Sequence, residues 1–139
     1  MPWQIEYYEQ QNGGQPAEDF EDSLPVKLAG KLARVAVMIE QKGPQAGGGL
    51  AEKCHDYPGL WEMRAILQKD LAREFFGFDH RRVVLLSGTL KRAGEPTPAA
   101  ALRQAYRNWQ DYLVHRRISP EIDKDDSISP TIEKPLRKP

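Results

Sequence analysis

The spacing of hydrophobic positions changes along this chain, and between residues 26 and 42 it is helical. Apolar side chains recur there every three or four residues, at Leu28, Leu32, Val35 and Ile39. This spacing predicts an amphipathic helix with one buried face. The glycine-rich segment 43–49 is predicted to end the helix and to form a flexible connection, because it lacks the lysine and hydroxyl residue of a phosphate-binding loop.

Two further helices are predicted, one before and one near the end of the chain. A short helix begins at Pro16 and carries Phe20 and Leu24 on one face, so that it forms a hairpin with the helix after Pro25. The last helix begins near Thr97–Pro98. Its apolar stripe consists of Leu102, Ala105, Tyr106, Trp109, Tyr112 and Leu113. The aromatic members of this stripe are predicted to lie in the core rather than to stack on bases.

Four segments have the composition of β-strands. One lies at residues 3–8, and the other three lie at residues 60–67, 70–78 and 81–87. Because only two residues separate each of the last three strands from the next, they are predicted to form an antiparallel meander. The element order β-α-α-β-β-β-α predicts an α+β domain over residues 1–117. We expect the helical hairpin on one face of a twisted sheet and the last helix at the edge of the sheet.

The chain has no feature of a membrane or disulfide-bonded protein. Its longest apolar run is residues 35–39, whereas a membrane helix needs about 20 residues. The one cysteine, Cys54, excludes an internal disulfide, and no secretory signal is recognised at the N-terminus. Residues 118–139 contain four prolines and mixed charges without an apolar period, which predicts an extended or disordered tail. These features predict a cytoplasmic protein.

Charge is distributed unevenly along the 139 residues, although the 20 basic and 20 acidic residues give a net charge of zero. Residues 1–26 carry −6, residues 27–117 carry +7 and residues 118–139 carry −1. A basic body favours a polyanionic partner. The alternative is that these lysines and arginines only keep helix surfaces hydrated.

Two arginines are predicted to face each other in the meander. With Gln68–Lys69 as a two-residue turn, Arg64 lies opposite Arg73, and Glu62 lies opposite Phe75 on the same face. Like charges in this position repel each other unless an anion joins them. That anion is either the Glu62 carboxylate, which is a structural role, or a phosphate, whose geometry matches the guanidinium fork.

The strands around this pair give the sheet two different faces. Trp61, Met63 and Ala65 alternate with the residues of the arginine face and are expected to lie under the helical hairpin. Lys91 and Arg92 come directly after the third strand of the meander and are expected to extend the positive strip. The pattern therefore predicts one apolar face and one basic face.

Five blocks of the sequence, taken in order, resemble the phage-derived HigB-type branch of the RelE toxin superfamily. No single block is specific, and the order and approximate spacing carry the resemblance over roughly residues 1–116. The blocks are Leu60–Arg64, Arg73–Phe76, Val83–Arg92, Thr97–Pro98 and Ala105–Tyr112. The resemblance implies a small RelE-like α+β domain with an N-terminal helical hairpin and a C-terminal helix.

The resemblance also implies a function. Proteins of this kind are toxins of type II toxin–antitoxin pairs, and they cut mRNA, often on the ribosome, without a metal or cofactor. The expected partners are therefore mRNA, the ribosome and an antitoxin, which is expected to be a small helix-turn-helix protein. The basic positions of the family correspond to Arg64, Arg73 and Lys91, which are the expected catalytic residues.

Cleavage by attack of a ribose 2′-hydroxyl on the adjacent phosphate explains this residue set. Such a reaction needs a base, cations around the phosphorane and a proton for the leaving oxygen. Arg64 and Arg73 are expected to hold the phosphate, and Lys91 to take or supply a proton. Four more residues are expected to contact RNA around them: Arg82, Arg92, His80 and Ser87.

The chain departs from the family pattern at positions that matter for proton transfer. Ser87 stands where the family usually has histidine, and Phe76 stands where it usually has tyrosine. The link at residues 93–96 is one residue longer and brings in Glu95. Two alternative functions are therefore considered. The protein either binds RNA or the ribosome without cleaving RNA, or it is an antitoxin-binding subunit without activity. A metal site or a nucleophilic pair at Cys54–His55 is not expected, because the other ligands or an orienting acid are missing.

Overall fold

The computed structural model describes residues 2–46 and 49–116, and these form three α-helices and one five-stranded sheet. The elements in chain order are β1 (Gln4–Tyr7), α1 (Pro16–Asp22), α2 (Val26–Lys42), β2 (Ala51–Lys53), β3 (Trp61–Leu67), β4 (Asp70–Asp79), β5 (Arg82–Arg92) and α3 (Ala99–His115). The strand order is β1-β5-β4-β3-β2, with β1 parallel to β5 and the other pairs antiparallel. The predicted α+β class is confirmed. The tail predicted for residues 118–139 lies outside the described residues.

Helices α1 and α2 cover one face of the sheet, as predicted. The apolar stripe of α2 is buried against the alternate residues of β3 and β4, among them Met63, Ala65 and Phe76. Helix α2 ends at Gly43, whose φ of 61° favours glycine. A Cβ at this position would also collide with the Trp3 ring, which packs against the end of the helix. Two constraints at one residue therefore fix the end of the hairpin.

Helix α3 lies on the opposite face of the sheet and not at its edge, which corrects the prediction. Its stripe packs against Phe75, Val84 and Leu86 of the two central strands. Trp109 lies directly over Gly77, where a Cβ would approach the indole ring to 2.6 Å. Helix α3 packs on the central strands because their apolar side chains and the space above Gly77 accommodate it, whereas an edge strand offers neither.

The predicted β3–β4 register is confirmed, with Arg64 paired with Arg73 and Glu62 paired with Phe75. Strand β5 is longer than predicted and continues to Arg92, because the segment that follows Ser87 remains paired with β4 despite its glycine. The β4–β5 register shifts between Phe75 and Phe76. The three-residue strand β2, which pairs with β3, was not predicted, because so short a segment has no measurable period.

Candidate functional site

Three polar residues lie side by side across the central strands, on the face that carries α3. Arg64 on β3 is paired with Arg73 on β4, and Arg73 is paired with Thr89 on β5. Lys91 pairs with Leu71 two positions further along, so it is a diagonal neighbour of Arg73 on the same face. We call Arg64, Arg73, Thr89 and Lys91 the arginine row. Helix α3 packs on the neighbouring half of this face, around Phe75.

The Glu62 carboxylate lies between the two arginines. Its Oε2 atom is 3.4 Å from Nε of Arg64 and 3.4 Å from Nε of Arg73. Glu52 on β2 adds a second carboxylate, with its Oε2 atom 2.8 Å from Nη2 of Arg64. The predicted repulsion between the arginines is thus relieved by carboxylates of the chain itself, which is the structural role foreseen for Glu62.

Arg73 is enclosed by the link between β5 and α3. Its side chain is 7% exposed, and its Nη2 atom donates a hydrogen bond of 2.7 Å to the backbone carbonyl of Glu95. Thr97, from the same link, donates through Oγ1 to Oε1 of Glu62 at 3.3 Å. The Nη1 atom of Arg73 is buried and makes no hydrogen bond within the described residues. Donors of Arg73 are therefore left unused inside a site that the link otherwise closes.

The cations that solvent reaches lie around this enclosed arginine. The Arg64 side chain is 31% exposed, and Lys91 and Arg92 are exposed at the end of β5. Arg92 also binds the link, because its backbone N–H donates to Oε1 of Glu95 at 3.1 Å. An incoming anion would therefore meet Arg64, Lys91 and Arg92 first and reach Arg73 only if the link moved.

The two positions that depart from the family pattern lie in different places. Ser87 pairs with Phe75, next to the arginine row, and its hydroxyl is buried without a hydrogen bond in the described part of the chain. Phe76 lies on the opposite face, where it packs against Trp61 and Phe78 under the helical hairpin. A hydroxyl on residue 76 would thus point away from the arginine row, because alternate residues of a strand face opposite sides.

His80 and Arg82 lie at the other end of β5, and the structure does not bring them to the arginine row. Arg82 and Lys91 are nine residue steps apart along the strand, which corresponds to about 30 Å. Arg82 is 3% exposed. It lies 3.4 Å from Asp79 and 3.5 Å from Glu6. The seven predicted site residues therefore fall into two groups, of which only one surrounds Arg73.

The second group, His80 and Arg82, surrounds the carboxylate of Asp79. This carboxylate is fully buried and accepts hydrogen bonds from Tyr112 Oη at 2.8 Å and from Arg116 Nη1 at 2.6 Å. His80 Nε2 lies 3.7 Å from Oδ1 of Asp79. Burial and then the negative charge of Asp79 raise the pKa of Tyr112, so its hydroxyl stays protonated and donates. This network joins the β4–β5 turn to the end of α3.

A side pocket next to Glu62 was missed by the sequence analysis. It has a volume of about 240 Å³ and is lined by Glu52, Lys53, Cys54, His55, Asp56, Tyr57, Glu62 and Leu102. The rings of Tyr57 and Tyr106 lie 5.2 Å apart at this place. Burial raises the pKa of the Cys54 thiol to about 12, so it is not a thiolate nucleophile at neutral pH. The irregular segment between β2 and β3 gave no periodic signal from which this pocket could be inferred.

Metal-ligand clusters and membrane-spanning helices were sought in the described ranges 2–46 and 49–116. No three histidine, cysteine, aspartate or glutamate side chains come together there in a way that could hold a metal ion. Among the helices of the same ranges, none combines the length and the apolar composition that crossing a membrane requires.

Comparison with known proteins adds one match. The sequence model of a family described as phage-derived protein Gp49-like matches residues 19–110, about two thirds of the chain. The matched range begins in α1 and ends in α3, so it includes the whole arginine row and Glu62. No curated protein shows detectable sequence similarity to the chain.

Proposed function

This chain belongs to the phage-derived Gp49-like family, which is a RelE-like, toxin-like family, and on that premise we propose that it is the toxin of a type II toxin–antitoxin pair that cleaves mRNA in the cytoplasm. The observation that carries the proposal is the position of Glu62 between Arg64 and Arg73, with Lys91 beside them. A carboxylate and several cations at one place are what metal-independent cleavage of RNA requires, and Arg64 and Lys91 open this place to solvent.

In the proposed reaction the ribose 2′-oxygen attacks the neighbouring phosphorus. The O2′–P bond forms, the P–O5′ bond breaks, and the products carry a 2′,3′-cyclic phosphate and a 5′-hydroxyl. Glu62 takes the proton of the 2′-hydroxyl, and Lys91 gives a proton to the leaving 5′-oxygen. Arg64 binds the phosphate and stabilises the charge that develops on it.

For Arg73 we propose a positioning role in addition to the phosphate binding expected from the sequence. Its enclosure under the link makes it a positioning residue in the resting protein, because it holds the Glu62 carboxylate and the Glu95 carbonyl. When RNA enters, its buried Nη1 donor provides one further hydrogen bond for a phosphate oxygen. Arg92 and Ser87 border the same region, whereas His80 and Arg82 have no part in this reaction.

The test uses the purified protein free of antitoxin, an mRNA with and without ribosomes, and a chelator to remove metal ions. We expect cleavage with cyclic-phosphate ends, and we expect Glu62→Gln and Lys91→Met to lower the single-turnover rate by about 10²-fold. Lys31→Met is the matched control, because Lys31 is an exposed lysine of α2, on the other side of the sheet. Cleavage at the parent rate in the Glu62 variant would contradict the proposed mechanism.

A second function is favoured by one specific observation. Two carboxylates, Glu52 and Glu62, already bind the guanidinium group of Arg64. If the binding energy of RNA does not displace them, the protein binds RNA or the ribosome without cutting it. That function gives salt-dependent binding of RNA and no cyclic-phosphate ends in the same experiment. An antitoxin-binding subunit without activity would bind neither RNA nor the ribosome.

A further inference from the structure

A cavity of about 380 Å³ opens on the face of the sheet that lies opposite the arginine row, between β1, the central strands and the two hairpin helices. We call it the hairpin cavity. Small side chains of α2, Ala29, Ala33 and Ala36, leave the space, and Ile5 and Leu32 add apolar walls. The walls therefore suit an aliphatic chain.

Glu74 lines this cavity from the central strand β4. It is fully buried, and neither of its carboxyl oxygens makes a hydrogen bond within the described residues. Burial is the main cause that raises its pKa well above the usual range, and the neighbouring Glu21 carboxylate adds to it. A buried polar group without a partner is costly for the folded state and is rare in proteins. Once a cation takes the place of the carboxyl proton, both oxygens of Glu74 can accept hydrogen bonds inside the cavity.

Every charged residue that lines the hairpin cavity is acidic: Glu21, Asp22, Glu40 and Glu74. Tyr7 also lines it, but its hydroxyl donates to Oε1 of Glu21 at 2.5 Å and is already used. Glu21 and Glu74 therefore approach each other with no cation among the described residues that line the cavity, and the charge of Glu21 disfavours the ionised form of Glu74. A positive charge placed in the cavity would remove this penalty.

We propose that the hairpin cavity binds the side chain of an arginine that a partner protein inserts into it, with the guanidinium group on Glu74 and Glu21 and the methylene stem along Ala29, Ala33 and Ala36. Arginine fits better than lysine, because two free carboxyl oxygens match the guanidinium fork and because guanidinium is the more weakly hydrated cation.

The surroundings of the cavity favour a polypeptide over a free small cation. Val37 lines the cavity and is 49% exposed, so it offers an apolar contact to the residues beside an inserted arginine. The stretch 1–26, within which β1 and α1 lie, carries a charge of −6 and complements a basic segment. This site goes beyond the proposed cleavage and does not depend on it, because the arginine row lies on the other face.

The experiment titrates the full chain with a capped glycine–arginine–glycine tripeptide and follows the methyl NMR signals of alanine. We expect the largest shifts at Ala29, Ala33 and Ala36, and a loss of affinity of at least about 10-fold in Glu74→Gln. Ala36→Leu, which fills the cavity without touching its charge, should block binding as well. Glu18→Gln is the matched control, because Glu18 is an exposed acid of α1 that does not line the cavity.

The same tripeptide with citrulline, a neutral isostere of arginine, tests the charge. Equal affinity for both peptides, unchanged affinity in Glu74→Gln, or no shift at these alanines at about 10 mM peptide would overturn the proposal. Agmatine, a free alkylguanidinium, tests the source of the cation. Tighter binding of agmatine than of the peptide would overturn the assignment to a partner protein. RNA cleavage, measured on the same Glu74→Gln protein, should stay at the parent rate.

Discussion

Glu62 and Glu74 lie on neighbouring strands of one sheet, and their carboxyl groups have opposite surroundings. Glu62, on the α3 face, lies within 3.4 Å of two guanidinium groups and accepts a hydrogen bond from Thr97. Glu74, on the hairpin face, is more deeply buried and has no hydrogen bond in the described part of the chain. The Glu62 carboxylate is held by the two arginines, whereas the Glu74 carboxyl group has no hydrogen bond within the described residues. The difference separates a carboxylate whose charge is compensated within the chain from one whose charge would need a ligand to compensate it.

Asp79 extends this comparison, because it is as deeply buried as Glu74 but surrounded by donors. Arg82, Tyr112 and Arg116 all approach its carboxylate. Burial of a charge is tolerated when hydrogen bonds and opposite charges compensate for lost hydration. Removing the charge of Asp79 should therefore lower the free energy of unfolding. Removing the charge of Glu74, which has no hydrogen bond within the described residues, should raise it.

The largest effect is expected for Asp79→Ala. The substitution takes the central acceptor from a network that joins the β4–β5 turn to α3, and breaking a buried ion pair costs about 3–5 kcal/mol. The free energy of unfolding, measured with denaturant, should fall by that amount. Asp56→Ala is the control, because Asp56 is exposed. A change below about 1 kcal/mol in Asp79→Ala would mean that the network does not hold the helix end.

The second largest loss of stability is expected for Glu62→Ala. Glu62→Ala leaves Arg64 and Arg73 directly opposite each other without the carboxylate between them, and Arg73 is buried. We expect a loss of about 2–3 kcal/mol in the free energy of unfolding. The double variant Glu62→Ala with Arg73→Met should recover part of this loss, because the buried charge is removed with its partner. Equal stability of the single and double variants would show that the two side chains do not interact.

A smaller effect of opposite sign is expected for Glu74→Gln, and it depends on pH. Burial raises the pKa of Glu74 in the folded state above the value of 4.5 that is usual for the free group. Below about pH 4 both states are protonated, so Glu74 contributes no pH dependence. As the pH rises, Glu74 loses its proton first in the unfolded chain. The free energy of unfolding therefore decreases until the pH exceeds the pKa of Glu74 in the folded state.

Glu74→Gln removes this loss, because glutamine does not titrate. The stability of the variant relative to the parent should therefore rise between pH 4 and pH 7. Denaturant midpoints at the two pH values measure the change, and Glu18→Gln again serves as the control. A constant difference between variant and parent would show that Glu74 titrates normally in the folded protein.

The sequence was sufficient for those parts of the fold that local spacing determines. The bounds of α2 follow from its stripe and its flanking proline and glycine, and the Arg64–Arg73 register follows from the Gln68–Lys69 turn, where Gln68 has a φ of 57°. Strand alternation already places Phe76 on the face away from Arg73. The interpretation of Phe76 as a missing proton-transfer tyrosine did not take into account that residue 76 faces away from Arg73.

Contacts between distant segments could not be predicted in this way. The Glu95 carbonyl reaches Arg73 only because the link folds back over the sheet, and a backbone acceptor leaves no signal in side-chain composition. The place of α3 on the central strands depends on the space above Gly77, which a helical stripe does not reveal. The unpartnered state of Glu74 depends on the packing of two helices, whereas its sequence context is an ordinary alternating strand.

The smallest effect is expected for the affinity of RNA binding, as distinct from the cleavage rate, at the rim of the arginine row. Lys91 is exposed and lies beside Arg73, so Lys91→Met removes one phosphate contact without disturbing a buried group. RNA affinity should fall only a few-fold at moderate salt, and the slope of log affinity against log salt should decrease by about 1. The melting temperature should not change, because exposed lysines contribute little to stability. Lys31→Met, on the other side of the sheet, should leave the slope as it is. An unchanged slope in the Lys91 variant would place the RNA away from the open end of β5, and RNA binding would then have to be sought on another surface of the domain.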